Sequence, residues 1–453
     1  MSKVISKSKY LNGRQCHKLL WTQFNAKDQI PAFDAATQAI FDQGHEVGRL
    51  AQGLYPDGTE VAWNNDDFAS MLQATQNLLA ARRPLYEATF GAAGAFARAD
   101  ILDPVGKGQW DIIEVKSSTS VKEVHVDDVA LQRYCYEAAG IKVRRCHLMH
   151  INNQYVRRGP VDPKGLLYAE DITNAVENRL SAVEGHLADM QRVISRKTCP
   201  KVAIGTQCDN PYPCPLKESC WAARWAADAA AASKGDLEWN AQAIREYLDD
   251  LTWPLYLLDF ETIGPAIPLF DESRPYQQVP FQFSLHIMTK MNAKPRHVAW
   301  LWDGTGDPRQ AMFTELCRAI GPTGSVLAYN KRFEEGRLTD SAEALHEHAD
   351  WVDALMPRMV DLGDPFRQHA VRHPLLGRKW SLKIVLPLLT DMSYEGLAIR
   401  DGGTASAEFL RVMYTNVTSE ERKAVRKNLK EYCGQDTYAM TEILRKLDAM
   451  AAM

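Results

Sequence analysis

Two α/β units in series are the fold class this sequence predicts, and three observations predict it. Alternating apolar patterns around residues 96–117 and 143–156 follow a helix-prone region, FDQGHEVGRLAQGLY, and this first zone closes in a cysteine cluster near residue 220. An alanine-rich, helix-prone stretch with a Gly-Asp break, AARWAADAAAASKGDLEWNAQAIREY, then occupies residues 222–247. The pattern restarts from about residue 251 with the apolar strand LTWPLYLLDFET and runs through mixed strand and helix signals to a final helix, NLKEYCGQDTYAMTEILRKLDAM. The chain is therefore read as a first unit over 1–222, a helical connector over 223–250 and a second unit over 251–453. A length of 453 residues accommodates two large domains of this kind.

Composition narrows the function classes. With Lys+Arg 53 against Asp+Glu 57 the net charge is −4, so no global basic field attracts nucleic acid and any polyanion site must be built locally. The segment MSKVISKSKYLNGRQCHKLLW lacks the apolar core of a signal peptide, and no uncharged run approaches the ~18 apolar residues of a membrane span. The expectation is a cytoplasmic protein with no membrane partner. Nine cysteines in such a chain are expected as thiols, with metal binding the use of any cluster.

In the first unit, FARADILDPVGKGQWDIIEVKSS places two apolar runs around the turn-like PVGKGQ, as a β-hairpin does. Alternation then puts Ile112, Glu114 and Lys116 on one face and Ile113 and Val115 on the other. A turn centred on Lys107 sets Asp100 opposite Glu114, whereas Asp103 falls on the other face and ranks second. Two carboxylates and an ammonium on one face suit a divalent cation with oxygen ligands, and equally describe a solvated strand face.

Asp100, Glu114-Val115-Lys116, and Gln132 with Tyr136 in LQRYCYEAAG resemble, in order, the PD-(D/E)XK nucleases of the RecB-like group. His45 in GHEVGRLA matches the upstream histidine that several of them add to the metal site. The resemblance implies a restriction-endonuclease-like module. In it Asp100, Glu114 and His45 bind Mg²⁺ or Mn²⁺, Lys116 assists attack, and Gln132 and Tyr136 support the site.

The stretch CDNPYPCPLKESCW presents Cys208, Cys214 and Cys220 at equal intervals. A subset of the same nucleases, including CRISPR-associated adaptation exonucleases and AddAB-type nuclease modules, joins one cysteine before the core to three after it through an iron–sulfur cluster. By that resemblance Cys16 in RQCHKLLW is the first ligand of a 4Fe–4S cluster and these three are the rest. The spacing here is C-x5-C-x5-C where C-x2-C-x5-C is commoner, and a zinc site of the same thiolates is the alternative. Cys199 is a spare candidate, and Cys135 and Cys146 are expected as buried apolar residues.

In the second unit, LYLLDFETIG carries Asp259 and Glu261 two apart on a strand, hence on one face, with Leu258 and Phe260 on the other. Buried carboxylate pairs are costly without a compensating cation. VLAYNKRFEEGRL adds Glu334, and EYCGQDTYAM adds Tyr432 and Asp436 at i and i+4 of a helix. This ordered set resembles the tyrosine-bearing DEDD exonucleases of the RNase H-like superfamily. The resemblance makes Asp259, Glu261, Glu334 and Asp436 ligands of two divalent cations and Tyr432 the residue that positions water, with Glu334 standing where aspartate is usual and Asp361 in reserve. The segments VDLGDPF and WSLKIVLP also resemble an uncharacterised bacterial domain family that is often joined to iron–sulfur RecB-like nuclease domains.

Lys423, Arg426, Lys427 and Lys430 recur at helical spacing ahead of Tyr432 and suit a phosphate track or a solvated face. KVRRCH (142–147) and RRGP (157–160) add cations after the first site, and Trp380 and Tyr329 are candidates to stack bases, with a core role the favoured reading. The functional expectation is a metal-dependent nuclease acting on single-stranded or end-bearing DNA. A nucleic-acid-binding or scaffold protein with one or both sites inactive is the alternative, as is an RNA-processing exonuclease.

Overall fold

A computed structural model describes residues 3–64, 67–232, 235–377 and 379–453. The chain forms two compact units. The first contains Met1–Phe33, Ile40–Ala223 and Ala266–Tyr276; the second contains Asp34–Ala39, Arg224–Pro265 and Gln277–Met453. The main division between the units falls between Ala223 and Arg224. The helix Ala241–Asp249, inside the expected 223–250, belongs to the second unit. Residues 266–276 belong to the first because Ala266, Ile267 and Tyr276 are apolar and sit in its core with Ile113, Val115 and Met149. Arg157 fastens this segment through hydrogen bonds to the carbonyls of Pro268 and Leu269, both 2.8 Å.

The first unit is built on a seven-stranded sheet. Its main strands are β1 (Leu85–Ala92), β2 (Ala95–Val105), β3 (Gln109–Lys116), β4 (Lys142–Ile151) and β5 (Leu167–Asp171), adjacent in that order. β2 and β3 pair as Ile101↔Ile113, Leu102↔Ile112 and Asp103↔Asp111, a register centred on Lys107 as the sequence predicts. Gly106 and Gly108 supply the positive φ values, 51° and 76°, that close the turn. The helix Glu123–Ala138 carries the chain across to β4, which runs parallel to β3.

Ile112, Leu131 and Tyr136 belong to one apolar cluster and Ile113 and Val115 to another, so the two sheet faces are those the alternation predicts. The residues Ile5–Ser6 add a short parallel strand beside Ala95–Phe96, beyond the point where β3 stops pairing with β2. The helix α1 (Lys7–Gln15) starts there, and Cys16 in extended conformation separates it from α2 (His17–Asn25).

The second unit has a five-stranded sheet of β6 (Leu255–Ile263), β7 (Val279–Met288), β8 (Arg296–Leu301), β9 (Val326–Ala328) and β10 (Met359–Asp361), in the order β8-β7-β6-β9-β10. The pairs β6/β7 and β7/β8 are antiparallel, and β6/β9 and β9/β10 are parallel. Leu258 and Phe260 face a core with Phe313, Leu316 and Leu338. On the other face, Gln282 and Ser284 of β7 hydrogen-bond to Leu429 and Thr437 of a long helix, Ser419–Ala451. No helix among the described residues is long and apolar enough to cross a membrane.

Candidate active sites

The first carboxylate group forms at the open end of the β2–β3 hairpin. Asp100 accepts a hydrogen bond from the Val115 amide at 2.7 Å, which fixes it beside Glu114. Glu114 is fully buried, and it accepts from Lys7 at 2.7 Å, from Lys116, and from Gln132 at 2.8 Å. Asp128, also fully buried, accepts from Lys116 at 2.8 Å and from Gln132 at 3.1 Å.

Burial alone would raise the Glu114 carboxyl, but Lys116 and Lys7 outweigh it and hold the group well below the carboxylate range. Asp100, without such a partner, is pushed up to about 7 by burial and by the charge of Glu114. Burial opposes the charge on Lys116, yet Asp128 and Glu114 overcome that and keep it protonated well above its ordinary value. Lys116 here is a fixed cation, suited to stabilising charge on an oxygen rather than to removing a proton.

Two members of this group escape the sequence reading. Asp128 stands four residues before Gln132, hence on the same helix face, and that spacing was available as a signal. Lys7 arrives from a separate segment through the Ile5–Ser6 strand, and no local pattern announces it.

Two expected members lie elsewhere. Tyr136 is fully buried behind the sheet, where its hydroxyl donates to the Ala88 carbonyl and accepts from the Ala99 amide at 2.9 Å. It ties β1 to β2 and does not meet the carboxylates, because its own apolar helix face points into the core against Phe90. His45 is exposed on the helix Ala35–Gln52 and makes no hydrogen bond or ion pair with the group among the described residues.

The four predicted cysteines do converge. Cys16, Cys208, Cys214 and Cys220 line one enclosed hollow of about 20 Å³, closed by Val202, Ile204 and Leu216. Local chain geometry explains the meeting: Cys214 donates its amide to the Cys208 carbonyl at 2.8 Å, and Gln15 donates to the carbonyls of Gln207 and Tyr212 at 2.8 and 2.7 Å. Cys16 thereby reaches a loop nearly two hundred residues away. Among the described residues only Asp259, Glu261 and Cys433 place three such donor atoms within 4.8 Å of one another. Among the described residues, no three of the four thiols therefore lie within that distance of one another. Cys199 is exposed, and Cys135 and Cys146 are buried, with their thiols pushed up to about 12 by burial.

The second carboxylate group has a different character. Asp259, Glu261, Glu334, Tyr432 and Asp436 all line one cleft of about 510 Å³. Strand alternation on β6 supplies the first pair, the turn after β9 starts the helix α3 (Lys331–Ala344) that supplies Glu334, and one face of the Ser419–Ala451 helix supplies Tyr432 and Asp436. The Cys433 thiol lies 3.5 Å from an Asp259 oxygen.

None of these four carboxylates forms an ion pair among the described residues. Burial and mutual repulsion raise Asp259 and Glu261 well above their ordinary values, burial takes Glu334 to about 8, and burial takes Asp436 to about 6 even though Tyr394 donates a hydrogen bond to it. Lys383 moderates Glu261 and Asp436 and Arg337 moderates Glu334, and the Lys383 ammonium lies 5.5 Å from the Tyr432 ring centre. The Oε2 atom of Glu334 is buried without a hydrogen-bond partner. Tyr394, Lys383 and Cys433 were not singled out in the sequence; only Cys433, adjacent to Tyr432, carried a positional hint.

Asp361, the reserve ligand, is already satisfied. It accepts from the amides of Asn330 and Lys331, both 3.1 Å, from Gly363 at 2.8 Å and from Arg367 at 3.0 Å. These bonds hold Asn330 at φ 73° and fix the start of α3. Asp361 is a turn-shaping residue, and Glu334 is the one that faces the cleft. On the Ser419–Ala451 helix, Lys423, Arg426, Lys427 and Lys430 border an open hollow of about 410 Å³. Two of these cations are engaged: Arg426 donates to the Trp302 carbonyl at 2.6 Å, and Lys427 pairs with Glu431 at 3.4 Å.

Residues 256–381 match a family described as a domain of unknown function, DUF2779. The match contains Asp259, Glu261 and Glu334 and stops before Tyr432 and Asp436. The chain is 27% identical over 208 residues to an uncharacterized protein of Mycoplasma pneumoniae, covering 41% of this chain and 31% of that protein. A Mycoplasma genitalium protein, also uncharacterized, is 26% identical over 208 residues with the same coverage, and one from Ureaplasma parvum is 25% identical over 213 residues, covering 41% of this chain and 30% of its own length. This chain thus spans under a third of the length of the curated relatives it matches.

Proposed function

We propose that this chain is a metal-dependent nuclease in which the second carboxylate group hydrolyses phosphodiester bonds at the end of a nucleic-acid strand. The observation that carries the reading is the convergence of Asp259, Glu261, Glu334 and Asp436, with Tyr432, in one cleft with no ion-paired cation among the described residues. Four such acids repel one another, and the orphaned Glu334 oxygen waits for a partner; divalent cations fit that donor set. A sheet with an antiparallel meander flanked by two parallel strands supports the RNase H-like resemblance.

Bound Mg²⁺ or Mn²⁺ would supply an activated water and charge stabilisation at the leaving oxygen. The chain's own residues do the rest. Asp259 and Glu261 present their oxygens from a rigid strand, Glu334 closes the cleft from the first turn of α3, and Asp436 is oriented by Tyr394. Tyr432, one helical turn before Asp436, offers a hydroxyl to orient the attacking water.

The first carboxylate group supports a second, weaker nuclease site or a nucleic-acid-holding module. The specific observation favouring the holding role is that Lys7 and Lys116 already neutralise Glu114 and Asp128. Its residues still fit a cation: among the described residues Asp100 forms no ion pair, and Gln132 Oε1 is buried without a hydrogen-bond partner. The four cysteines supply the thiolate set of a 4Fe–4S cluster, which Cys16, Cys208, Cys214 and Cys220 would hold.

The test is hydrolysis of end-labelled single- and double-stranded DNA and RNA with Mg²⁺ or Mn²⁺, by wild type, Lys116→Ala and Asp259→Ala. An activity that survives Lys116→Ala and disappears in Asp259→Ala supports the reading. If Asp259→Ala changes no activity, and divalent ions leave its melting temperature and that of wild type equally unmoved, the second unit is a binding module.

A further inference from the structure

The cleft at Asp259 lies beside a second hollow of about 700 Å³, and Tyr329 and Asn330 line both. The two have opposite electrostatic character. The first is walled by acids; the second is bordered by Arg332, Arg367, Lys379 and Trp380, with one acid, Asp361, that Arg367 already pairs. Arg367 is fixed by Asp361 at 3.0 Å and Asp364 at 2.6 Å, and its guanidinium lies 6.0 Å from the Trp380 ring centre. Arg332 and Lys379 are exposed and have no hydrogen-bond or ion-pair partner for their side chains among the described residues. Trp380 and Tyr329, which the sequence assigned to the core, are both partly exposed, and the Tyr329 hydroxyl donates to the Trp380 carbonyl at 2.5 Å.

We propose that this hollow is the binding track for a single nucleic-acid strand, with backbone phosphates at Arg332 and Lys379 and a base against Trp380, leading the strand's end to the carboxylates. This deepens the nuclease reading of the second cleft and rests on it. The physical need is plain: a cleft of unpaired acids repels a polyanion, and the net charge of −4 provides no attraction from a distance. Cations must therefore stand next to the acids. The turn held by Asp361 sets both at once, because Arg332 and Glu334 are two residues apart on α3 and so point about 200° apart around its axis. One faces the hollow and the other the cleft.

A partly exposed aromatic ring in a hollow lined by cations is the recognition chemistry of an unpaired strand, since a base stacks on it only when its partner base is absent. Past Trp380 the next hollow contains Arg372 and His373 but also Asp236 and Glu238. That mixed lining does not extend the track, so it is short.

The experiment is fluorescence anisotropy with the full chain in Ca²⁺, using single-stranded DNA, single-stranded RNA and blunt duplex oligonucleotides over a salt series, with hydrolysis measured in a Lys116→Ala background. Arg332→Ala and Lys379→Ala are each expected to weaken single-strand binding for every sequence and to reduce the salt slope by about 0.7 per cation. Trp380→Ala is expected to weaken it by about 5- to 150-fold and Trp380→Phe much less, as the stacking of one base predicts. Tighter binding of DNA or of RNA identifies the strand's sugar.

Three outcomes overturn the proposal: no single-strand binding by wild type, equal binding of blunt duplex, or wild-type affinity and salt slope in the Arg332→Ala/Lys379→Ala double variant. If that double variant cuts like wild type while Asp259→Ala is dead, the track is wrong and the nuclease reading stands. If Asp259→Ala is indifferent, the nuclease reading itself has failed.

Discussion

The two carboxylate groups of this chain solve the same electrostatic problem in opposite ways. In the first, Glu114 and Asp128 are buried with two lysines and a glutamine already in hydrogen-bond contact, so the protein supplies its own countercharge. In the second, the acids are buried together and their ordinary charge is suppressed by burial and mutual repulsion. A site with an internal countercharge folds complete; a site without one, on the proposal made above, takes its cation from solution. The contrast teaches that an acidic motif read from sequence does not reveal its charge state, because the compensating group comes from elsewhere in the chain or from outside it.

The largest expected effect is on catalysis. Asp259→Ala and Asp436→Ala should each lower the activity that survives Lys116→Ala by more than about 10³-fold, the scale on which a bound metal's charge stabilisation is lost. End-labelled strand hydrolysis measures it. Retained activity in Asp436→Ala would mean that the fourth acid is dispensable.

Stability should move in opposite directions at the two sites. Lys116→Ala leaves Glu114 and Asp128 short of a partner and is expected to cost about 3 kcal/mol, as for other broken buried pairs. Asp259→Asn, by removing one of four repelling acids, should raise the melting temperature of the metal-free protein. Chemical denaturation and calorimetry without divalent ions compare them; equal signs would erase the distinction drawn between the sites.

A pH series sharpens the same contrast. Glu334 sits at about 8 in the folded chain against an ordinary value near 4.5, so between those values the folded state keeps a proton that the unfolded chain has released. Metal-free stability should therefore fall as pH rises through that window, and Mg²⁺ should restore more of it at pH 8 than at pH 5. Glu334→Gln should flatten the dependence. Glu114, lowered in the folded state, has the reverse sign: its contribution is present above its unfolded value and is lost only on acidification.

The smallest effect is expected from Tyr394→Phe, which removes the hydroxyl donor to Asp436. Loss of one hydrogen bond to a charged group is worth about 10- to 150-fold in rate, with the acid limb of the pH–rate profile moved upward. An unchanged profile would remove Tyr394 from the site.

What the sequence disclosed follows physical range. The hairpin register and the two faces of β3 and β6 were readable because strand alternation and a short turn are local properties. The four cysteines and the second acid set were legible through a resemblance carried by their order along the chain. Lys7, Lys383 and Tyr394 were not, since they meet their partners only through tertiary packing. Tyr136 was misplaced because helical spacing gives a face but not what that face meets, and the face here meets Phe90. Asp361 and Glu334 both seemed free to bind a cation, and only backbone geometry tells which of them the turn consumes.

The short run from Lys7 to Cys16 has a practical consequence for anyone purifying the protein. α1 is a single rigid rod with an ammonium at one end, on Glu114, and a thiol at the other, in the four-cysteine hollow. Air damage at the sulfur end would loosen the rod and draw the ammonium from its carboxylate while every acid of the first site stayed chemically intact. An aerobic, colourless preparation that fails to cut would then report on handling and not on the chemistry of those acids. The control is a matched anaerobic preparation of wild type and Cys214→Ser: brown, iron- and sulfide-containing wild type beside a colourless, destabilised variant is expected, and stoichiometric zinc without iron in both would remove the cluster from the account.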